Sequence, residues 1–192
     1  MSDFLAVFVP LGAVLAIYAG RMIELATKRK TVPGKVRETV TLRLFMLVGT
    51  MMMAGSVCEF FLLGKQLHWE TFAPGFLLAA ASFWIRRQAI ASLGRFWSLH
   101  VEIRENHQFV CSGPFRHVRH PTYFSMILEL LSAGLIMNAW ISLLIASALF
   151  LPLLACRLRI EEAALLERFG DAYRHYQSTT PALIPYRFLH TK

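Results

Sequence analysis

Residues 123–156 read YFSMILELLSAGLIM, then Asn138, then AWISLLIASALFLPLLAC. Two apolar runs are therefore separated by a single polar residue. A straight helix over the whole stretch would exceed one bilayer crossing, which takes about 20 residues. We predict a tight helical hairpin that turns at Asn138, and the alternative is one long straight helix.

Three more apolar runs precede this hairpin, at residues 4–20, 44–63 and 72–92. The third is long enough to span if Arg86 and Arg87 extend toward the membrane surface. Of the 192 residues, 56% are hydrophobic and 17% are charged, whereas a soluble domain carries roughly 25% charged residues. With runs 122–137 and 139–156 of the hairpin, the sequence predicts an all-α integral membrane protein with five transmembrane helices in one domain, 1–192.

Basic residues set the predicted orientation. Of the 20 Lys and Arg residues, 19 lie in 21–43, 86–119 and 157–192, and only Lys65 lies elsewhere. Five spans place these three segments on one side, which the positive-inside rule makes cytoplasmic. The N-terminus is then outside and the C-terminus inside, in the inner membrane if the source is bacterial. Because the chain is hydrophobic, its net charge of +8 indicates membrane orientation, and we expect no nucleic-acid partner.

Polar stretches flank the hairpin on its cytoplasmic side, at residues 86–121 and 157–192, and we expect the chemistry there. Arg119, His120 and Pro121 directly precede a helix, whose first N–H groups and dipole suit an anion. Arg157 and Glu161 share one helix face because they are four residues apart. They can pair with each other or bind the opposite charges of one ligand; the alternative is an interfacial arginine beside a solvated acid.

Two weaker patterns occur in the loop. Residues 98–103 and 107–111 alternate polar with apolar side chains, which predicts a short β-hairpin that turns at 104–106. The histidines of this region are 7, 10 and 3 residues apart and no CxxC pair accompanies them, so we expect no metal. These histidines are His100, His107, His117 and His120.

Two acids lie within predicted spans, where an ionised group is costly and is usually functional or paired. For Glu129 we weigh two roles, the lining of a substrate cavity and a structural hydrogen bond to a neighbouring helix. Glu59 lies nearer the outer end of its span, and we expect it to be solvated.

The motifs in combination resemble the isoprenylcysteine carboxyl methyltransferase family over roughly residues 93–186. They are GPFRHVRHPTY at 113–123, the apolar hairpin, and the pattern RxxxEExxxxExFGxxYxxY at 157–176. The resemblance implies an integral membrane enzyme that uses S-adenosylmethionine and esterifies the terminal carboxylate of a prenylated cysteine. It also implies a cytoplasmic cofactor pocket formed by the 93–122 loop and the C-terminal helix, with binding elements in 93–123 and 157–186.

Individual roles follow from this resemblance. Arg157 is similar to the residue that binds the substrate and is our catalytic candidate, and Glu161 is similar to the acid that binds the cofactor. Two positions depart from the family pattern, since Phe115 replaces a tyrosine and His100 stands where relatives can carry glutamine. The implied cofactor-binding residues are His100, His107, Gln108, Phe109, Val110, Phe115, His120, Pro121, Thr122, Tyr123 and Glu161.

The residue chemistry agrees with such a cofactor. An ammonium group calls for an acid such as Glu161, a carboxylate calls for N–H donors or Arg119, and adenine calls for an apolar slot such as residues 107–110. A carboxylate acceptor is already a nucleophile, so the chain has mainly to align the reactants. A phenol or an amine would need a base, and His107 or His120 would be the candidates.

The acceptor itself stays open at this point. We expect a lipid-like or prenylated molecule that reaches the site from the membrane, and the alternatives are a phenolic lipid, an alkylpyrone or a phospholipid amine. A non-catalytic membrane protein and a reductase that share the fold are alternative classes. Glu161 and Glu162 argue against a reductase, because a phosphorylated nicotinamide cofactor calls for basic residues.

Overall fold

The computed structural model of the protein describes residues 3–27, 34–38, 40–97, 101–104 and 110–185. Over these residues the chain forms six α-helices and one antiparallel two-stranded sheet, so the predicted helical class is confirmed with one small sheet added. The helices are α1 (Asp3–Ala26), α2 (Val40–Leu62), α3 (Trp69–Leu93), α4 (Pro121–Met137), α5 (Trp140–Phe169) and α6 (Asp171–Thr179), and the strands are β1 (Gly34–Glu38) and β2 (Val101–Arg104).

Three of the described helices, α1, α2 and α5, are long and apolar enough to cross a membrane. Helix α4 is a shorter apolar helix, and crossing by α3 and α4 stays a prediction. Helix α3 nevertheless exposes large apolar side chains, among them Phe76 (53%), Leu77 (68%) and Trp84 (64%). Such faces are unfavourable in water and favourable against lipid.

The predicted hairpin is confirmed. Helix α4 ends at Met137, α5 begins at Trp140, and Asn138 between them has a φ of 51°, a left-handed conformation that asparagine tolerates. A Cβ atom on Gly134 would lie 2.8 Å from the Leu143 side chain, so the two helices approach closely across the turn. Asn138 also accepts a hydrogen bond from the Thr71 hydroxyl at 2.8 Å, which connects the turn to α3.

The chain divides into two compact units. Unit 1 comprises Met1–Lys28, Phe45–Ser82 and Met126–Leu151, and unit 2 comprises Arg29–Leu44, Phe83–Ser125 and Pro152–Lys192. The core of unit 1 is apolar and is built from α1, α2 and the hairpin. Its buried residues are Val14, Phe60, Ile136, Met137 and Ala139.

A proline inside α1 creates a contact in unit 1. Pro10 has no N–H, so the carbonyl of Ala6 four residues earlier lacks its helical partner. The backbone N–H of Leu67 donates to that carbonyl at 3.0 Å. The segment between α2 and α3 is thereby attached to α1.

Glu59 is not solvated as we expected. It is 8% exposed and accepts hydrogen bonds from the backbone N–H groups of Ile141 (3.2 Å) and Ser142 (2.8 Å) and from the Ser142 hydroxyl (2.8 Å). These N–H groups lie in the first turn of α5, where helical donors have no intrahelical partner and a negative charge is favourable. The acid therefore caps α5 from α2.

The sheet of unit 2 involves a pairing that we did not predict. Strand β2 overlaps the alternating run 98–103, but its partner is β1, with Gly34 opposite Arg104. Alternation identifies a strand without specifying its partner. Residues 105–109 lie outside the described residues, and the predicted pairing of 107–111 stays a prediction.

The orientation can be tested by cysteine labelling. In a background in which the exposed cysteines Cys58, Cys111 and Cys156 are replaced by serine, we expect Ser2→Cys to react with an impermeant maleimide in intact cells. Thr191→Cys should react only after permeabilisation, because 19 of the 20 basic residues then face the cytoplasm. Equal labelling of both positions in intact cells would contradict five spans.

Candidate functional site

A continuous polar cluster of unit 2 connects the start of α4 with the polar second half of α5. Most of its members belong to the two sequence motifs. Residues 157, 161 and 162 follow the apolar part of α5, and residues 157 and 161 lie on one face of that helix because they are four residues apart. Thr41 of α2 joins the cluster through Arg157. The other members are Arg119, His120, Tyr123, Arg157, Glu161 and Glu162.

His120 lies between two carboxylates and is 3% exposed. Its Nε2 atom is 3.1 Å from Oε1 of Glu162, and its Nδ1 atom is 3.7 Å from Oε1 of Glu161. An ionised carboxylate only accepts hydrogen bonds, so the ring is best satisfied when both nitrogens carry hydrogen. The arrangement therefore favours the imidazolium.

The pKa of His120 reflects this balance. Burial opposes the charged form, but the hydrogen bonds and charges of Glu161 and Glu162 outweigh burial and raise the pKa from 6.5 to about 8. A raised pKa in the fold means that protonation of His120 stabilises the folded state. This contribution is complete below pH 6.5 and is lost as the pH rises through about 8.

Tyr123 connects the acid to the arginine. Its hydroxyl donates to Oε2 of Glu161 and accepts from Nε of Arg157 at 2.9 Å. Its ring stacks on His120, with ring centroids 5.5 Å apart. Arg157 is 4% exposed and donates from Nη1 to the Thr41 hydroxyl at 2.8 Å, so its guanidinium is fixed from two helices.

Arg119 is held by several contacts within unit 2. Its Nε and Nη2 atoms contact Oε1 of Glu162 at 2.8 and 2.7 Å, and its Nη1 atom donates to the carbonyls of Gln177 and Thr180. The backbone N–H groups of Arg119 and His120 donate to the carbonyls of residues 181 and 182, both at 2.9 Å. The expectation that the first N–H groups of α4 or Arg119 bind a ligand carboxylate stays a prediction.

A cleft of about 700 Å³ lies at the end of α3, within the usual range for small-molecule sites of roughly 300–1,000 Å³. Val110 lines this cleft. Phe115, five residues later in the chain, is buried, and its carbonyl accepts a hydrogen bond from the Tyr176 hydroxyl. Gly113 has a φ of 59°, and a Cβ there would meet the Ser92 hydroxyl. The lining residues are Ser92, Leu93, Gly94, Arg95, Phe96, Val110, Cys111 and Ser112.

The described part of the chain thus brings together four of the residues that we predicted for the site, namely His120, Tyr123, Arg157 and Glu161. Pro121 is fully buried beside them in the chain, and the Thr122 carbonyl accepts a hydrogen bond from the Ser125 hydroxyl at 2.6 Å. Four predicted cofactor residues lie outside the described residues: His100, His107, Gln108 and Phe109.

Glu129 belongs to unit 1 and forms an ion pair with Arg21 of α1. Nε of Arg21 donates to Oε1 of Glu129 at 2.9 Å, and Nη2 contacts the second carboxylate oxygen. Arg21 also pairs with Glu24 at 3.1 Å. A partner on another helix agrees with the second role that we weighed for Glu129, and a role in substrate binding stays a prediction.

The sequence did not predict the roles of three residues: Thr41 and Glu162, which belong to the cluster, and Gln177, which contacts it. Thr41 is far from both motifs, and no local pattern marks it. Glu162 was visible as one of two adjacent acids, but the sequence did not show that it faces His120. Gln177 donates to Oε2 of Glu162 at 3.0 Å, and its spacing of fifteen residues crosses a helix end, where periodicity gives no signal.

Comparison with known proteins supports the family resemblance. The family model described as the isoprenylcysteine carboxyl methyltransferase (ICMT) family matches residues 75–167. A protein-S-isoprenylcysteine O-methyltransferase of Schizosaccharomyces pombe is 30% identical over 119 residues, which are 61% of this chain and 50% of that protein. Protein-S-isoprenylcysteine O-methyltransferase B of Arabidopsis thaliana is 26% identical over 125 residues, 64% of either chain.

A relative with a different name also matches. The cobalt-zinc-cadmium resistance protein CzcN of Cupriavidus metallidurans is 29% identical over 98 residues, which are 50% of this chain and 45% of that protein. The chain therefore spans between about half and two thirds of the length of these curated relatives.

The described residues include three apolar helices of membrane-spanning length and, in unit 2, a polar cluster in which His120 and Arg157 are buried. Residues 75–167, which include most of this cluster, match the model of the isoprenylcysteine carboxyl methyltransferase family. The resemblance that the motifs indicated is thereby confirmed over these residues.

Proposed function

We propose that the protein is an S-adenosylmethionine-dependent methyltransferase that acts at the membrane interface on the carboxylate of a lipid-tailed acceptor, of which an isoprenylcysteine is the best match. The match of residues 75–167 to the family model supports the reaction class, and so do the relatives named protein-S-isoprenylcysteine O-methyltransferase. The position of His120 between Glu161 and Glu162 supports the carboxylate acceptor, for the reason given below.

The donor set fits the cofactor. The Glu161 side chain is 33% exposed and carries the negative charge that an ammonium group calls for. Val110 lines the cleft of about 700 Å³, whose wall mixes apolar and hydroxyl side chains, as an adenosine slot requires. Under this proposal Glu161 binds the ammonium, the segment that ends at Val110 lies against the adenosine together with Phe115, and residues 120–123 surround the methionine end.

The state of His120 argues for an acceptor that needs no base. Bound S-adenosylmethionine supplies a methyl group on a sulfonium, and its transfer to a carboxylate oxygen forms the ester C–O bond, breaks the C–S bond and leaves a neutral thioether. A phenol or an amine would first have to lose a proton to a base. Glu161 and Glu162 raise the pKa of His120 to about 8 and thereby favour the protonated ring near pH 7. A protonated ring cannot accept a proton, so a carboxylate acceptor is favoured.

Arg157 is the residue that we assign to the acceptor. It is one helical turn from Glu161 and is connected to it through the Tyr123 hydroxyl. A guanidinium presents a planar set of donors that matches a carboxylate. Holding the acceptor carboxylate beside the cofactor acid would align the reactants and exclude water, which is the main catalytic contribution that this reaction requires.

The place of the reaction follows from the acceptor. A lipid tail stays in the bilayer, so the polar head reaches the site at the membrane surface. Under the predicted orientation that surface is cytoplasmic. We expect no metal in the reaction, and over the described residues no group of three or more His, Cys, Asp or Glu side chains is arranged to bind one.

Glu161→Gln tests the cofactor site. A hydrogen bond to a charged group contributes roughly 1.5–3 kcal/mol, so we expect S-adenosylmethionine to bind about tenfold more weakly or worse. Calorimetric titration of the purified protein in detergent measures this. Glu167→Gln is the matched control, because it makes the same chemical change at an exposed position of the same helix. If Glu161→Gln binds as the control does, Glu161 is not part of the site.

A further inference from the structure

The adjacent acids Glu161 and Glu162 have different surroundings. The Glu161 side chain is 33% exposed and the Glu162 side chain is 16% exposed. Both oxygens of Glu162 are engaged, Oε1 by Arg119 and His120 and Oε2 by Gln177 at 3.0 Å. A carboxylate that is held by three side chains is suited to orienting a neighbour and not to exchanging partners with a ligand.

We propose that Glu162, fixed by Arg119 and Gln177, is a positioning residue that keeps both ring nitrogens of His120 as donors, so that His120 in turn orients Glu161 toward the ligand ammonium. This inference rests on the proposed function, because it assumes that Glu161 binds the cofactor. It assigns distinct roles to two acids that are equivalent in the sequence.

The geometry gives the reason. Arg119 can only donate hydrogen bonds, and it donates to Oε1 of Glu162, which is also the atom that faces Nε2 of His120. That position must therefore hold an acceptor, and Nε2 must carry hydrogen. A neutral ring would then direct the lone pair of Nδ1 at Glu161. Only the protonated ring attracts both acids.

The charged and titratable groups around the ring come from α5, from α4 and from the segment that directly precedes α4. Glu161 and Glu162 approach it from α5, Tyr123 stacks on it from α4, and Arg119 acts on it through Glu162. Arg157 does not reach this ring directly but donates a hydrogen bond to the hydroxyl of Tyr123. The pKa of His120 at about 8 agrees with a ring whose charge depends on both acids.

The experiment is calorimetric binding of S-adenosylmethionine to Glu162→Gln at pH 6.0 and pH 7.5. The neutral amide keeps an oxygen toward Arg119 and His120 but removes one charge, so we expect the pKa of His120 to fall from about 8 toward 6.5. At a pKa of 6.5 roughly one tenth of the rings are protonated at pH 7.5 and about three quarters at pH 6.0. The affinity should therefore be several-fold lower at pH 7.5 than at pH 6.0, with a limit of about eightfold when the pKa falls the whole way.

The comparison proteins separate the possible outcomes. Wild-type protein and Glu167→Gln should change less than about twofold between the two pH values, since a pKa of about 8 keeps most rings protonated at both. Glu161→Gln should bind weakly at both. If Glu162→Gln shows the small pH dependence of the wild type, the inference is wrong. If the wild type itself does not bind the cofactor, the proposed function fails instead.

A second variant serves if Glu162→Gln does not fold, as judged by its thermal unfolding in detergent. Gln177→Ala removes the donor to Oε2 of Glu162 and leaves every charge in place. We expect the ratio of its S-adenosylmethionine affinity at pH 6.0 to that at pH 7.5 to be larger than the same ratio for the wild type. A ratio equal to that of the wild type would overturn the inference.

Discussion

Arg21→Met should destabilise the protein by about 3–5 kcal/mol, which is the cost of removing one partner of a buried ion pair. Arg21 binds both carboxylate oxygens of Glu129 and also contacts Glu24. The Arg21 and Glu129 side chains are only 10% and 19% exposed. Methionine fills a similar volume, so the loss comes from the charge that Glu129 retains without its partner.

The double variant Arg21→Met, Glu129→Met distinguishes a charge effect from a packing effect. If the cost comes from an uncompensated carboxylate, replacing that carboxylate should restore most of the lost stability. The free energy of unfolding is measured by titrating detergent-solubilised protein with a denaturing detergent. Arg87→Met is the matched control, because Arg87 is exposed on α3. Equal losses for Arg21→Met and Arg87→Met would show that the ion pair contributes little.

Arg157→Ala should lower kcat/KM for the acceptor by at least about tenfold, or ~1.4 kcal/mol of transition-state stabilisation. The affinity for S-adenosylmethionine should stay within about twofold of the wild type, because we assign the acceptor and not the cofactor to Arg157. Arg157→Lys should also impair turnover, since lysine keeps the charge but not the planar set of donors. Cofactor and acceptor are titrated separately on each purified variant.

Controls make the result for Arg157 specific. Arg159→Ala removes an arginine from an exposed position of the same helix and should leave both constants unchanged. Retained cofactor affinity shows that the Arg157 variants are folded. A collapse of cofactor affinity with unaffected acceptor kinetics would mean that the roles of Arg157 and Glu161 are reversed, and no change in either constant would make Arg157 an interfacial anchor.

The sequence allowed the hairpin and one side of the site to be predicted. Apolar runs on either side of Asn138 have only a few ways to fold, and membrane thickness disfavours one straight apolar helix over both runs. The motifs alone assign His120, Tyr123, Arg157 and Glu161 to one site. These predictions rest on local patterns, and the described structure agrees with them.

The contacts between distant segments could not be predicted. Glu59 was expected in water, because nothing near it in the sequence shows that the first turn of α5 lies beside it. Thr41 and Arg157 are separated by most of the chain. The sequence marked Glu129 as an unusual acid but did not identify Arg21 of α1 as its partner. Periodicity identifies which face of a helix is buried, but it does not identify the neighbour.

Attachment of the last described segment to residues 119 and 120 has a consequence for biosynthesis. Helices are recognised for insertion one at a time, by their own hydrophobicity. The partners of Glu162 and of the backbone N–H groups of residues 119 and 120, however, are complete only after Gln177 and the carbonyls of residues 181 and 182 have left the ribosome. A chain arrested before residue 177 would therefore contain all the charged groups of the cluster but would lack the hydrogen-bond partners that Gln177 and residues 181 and 182 supply.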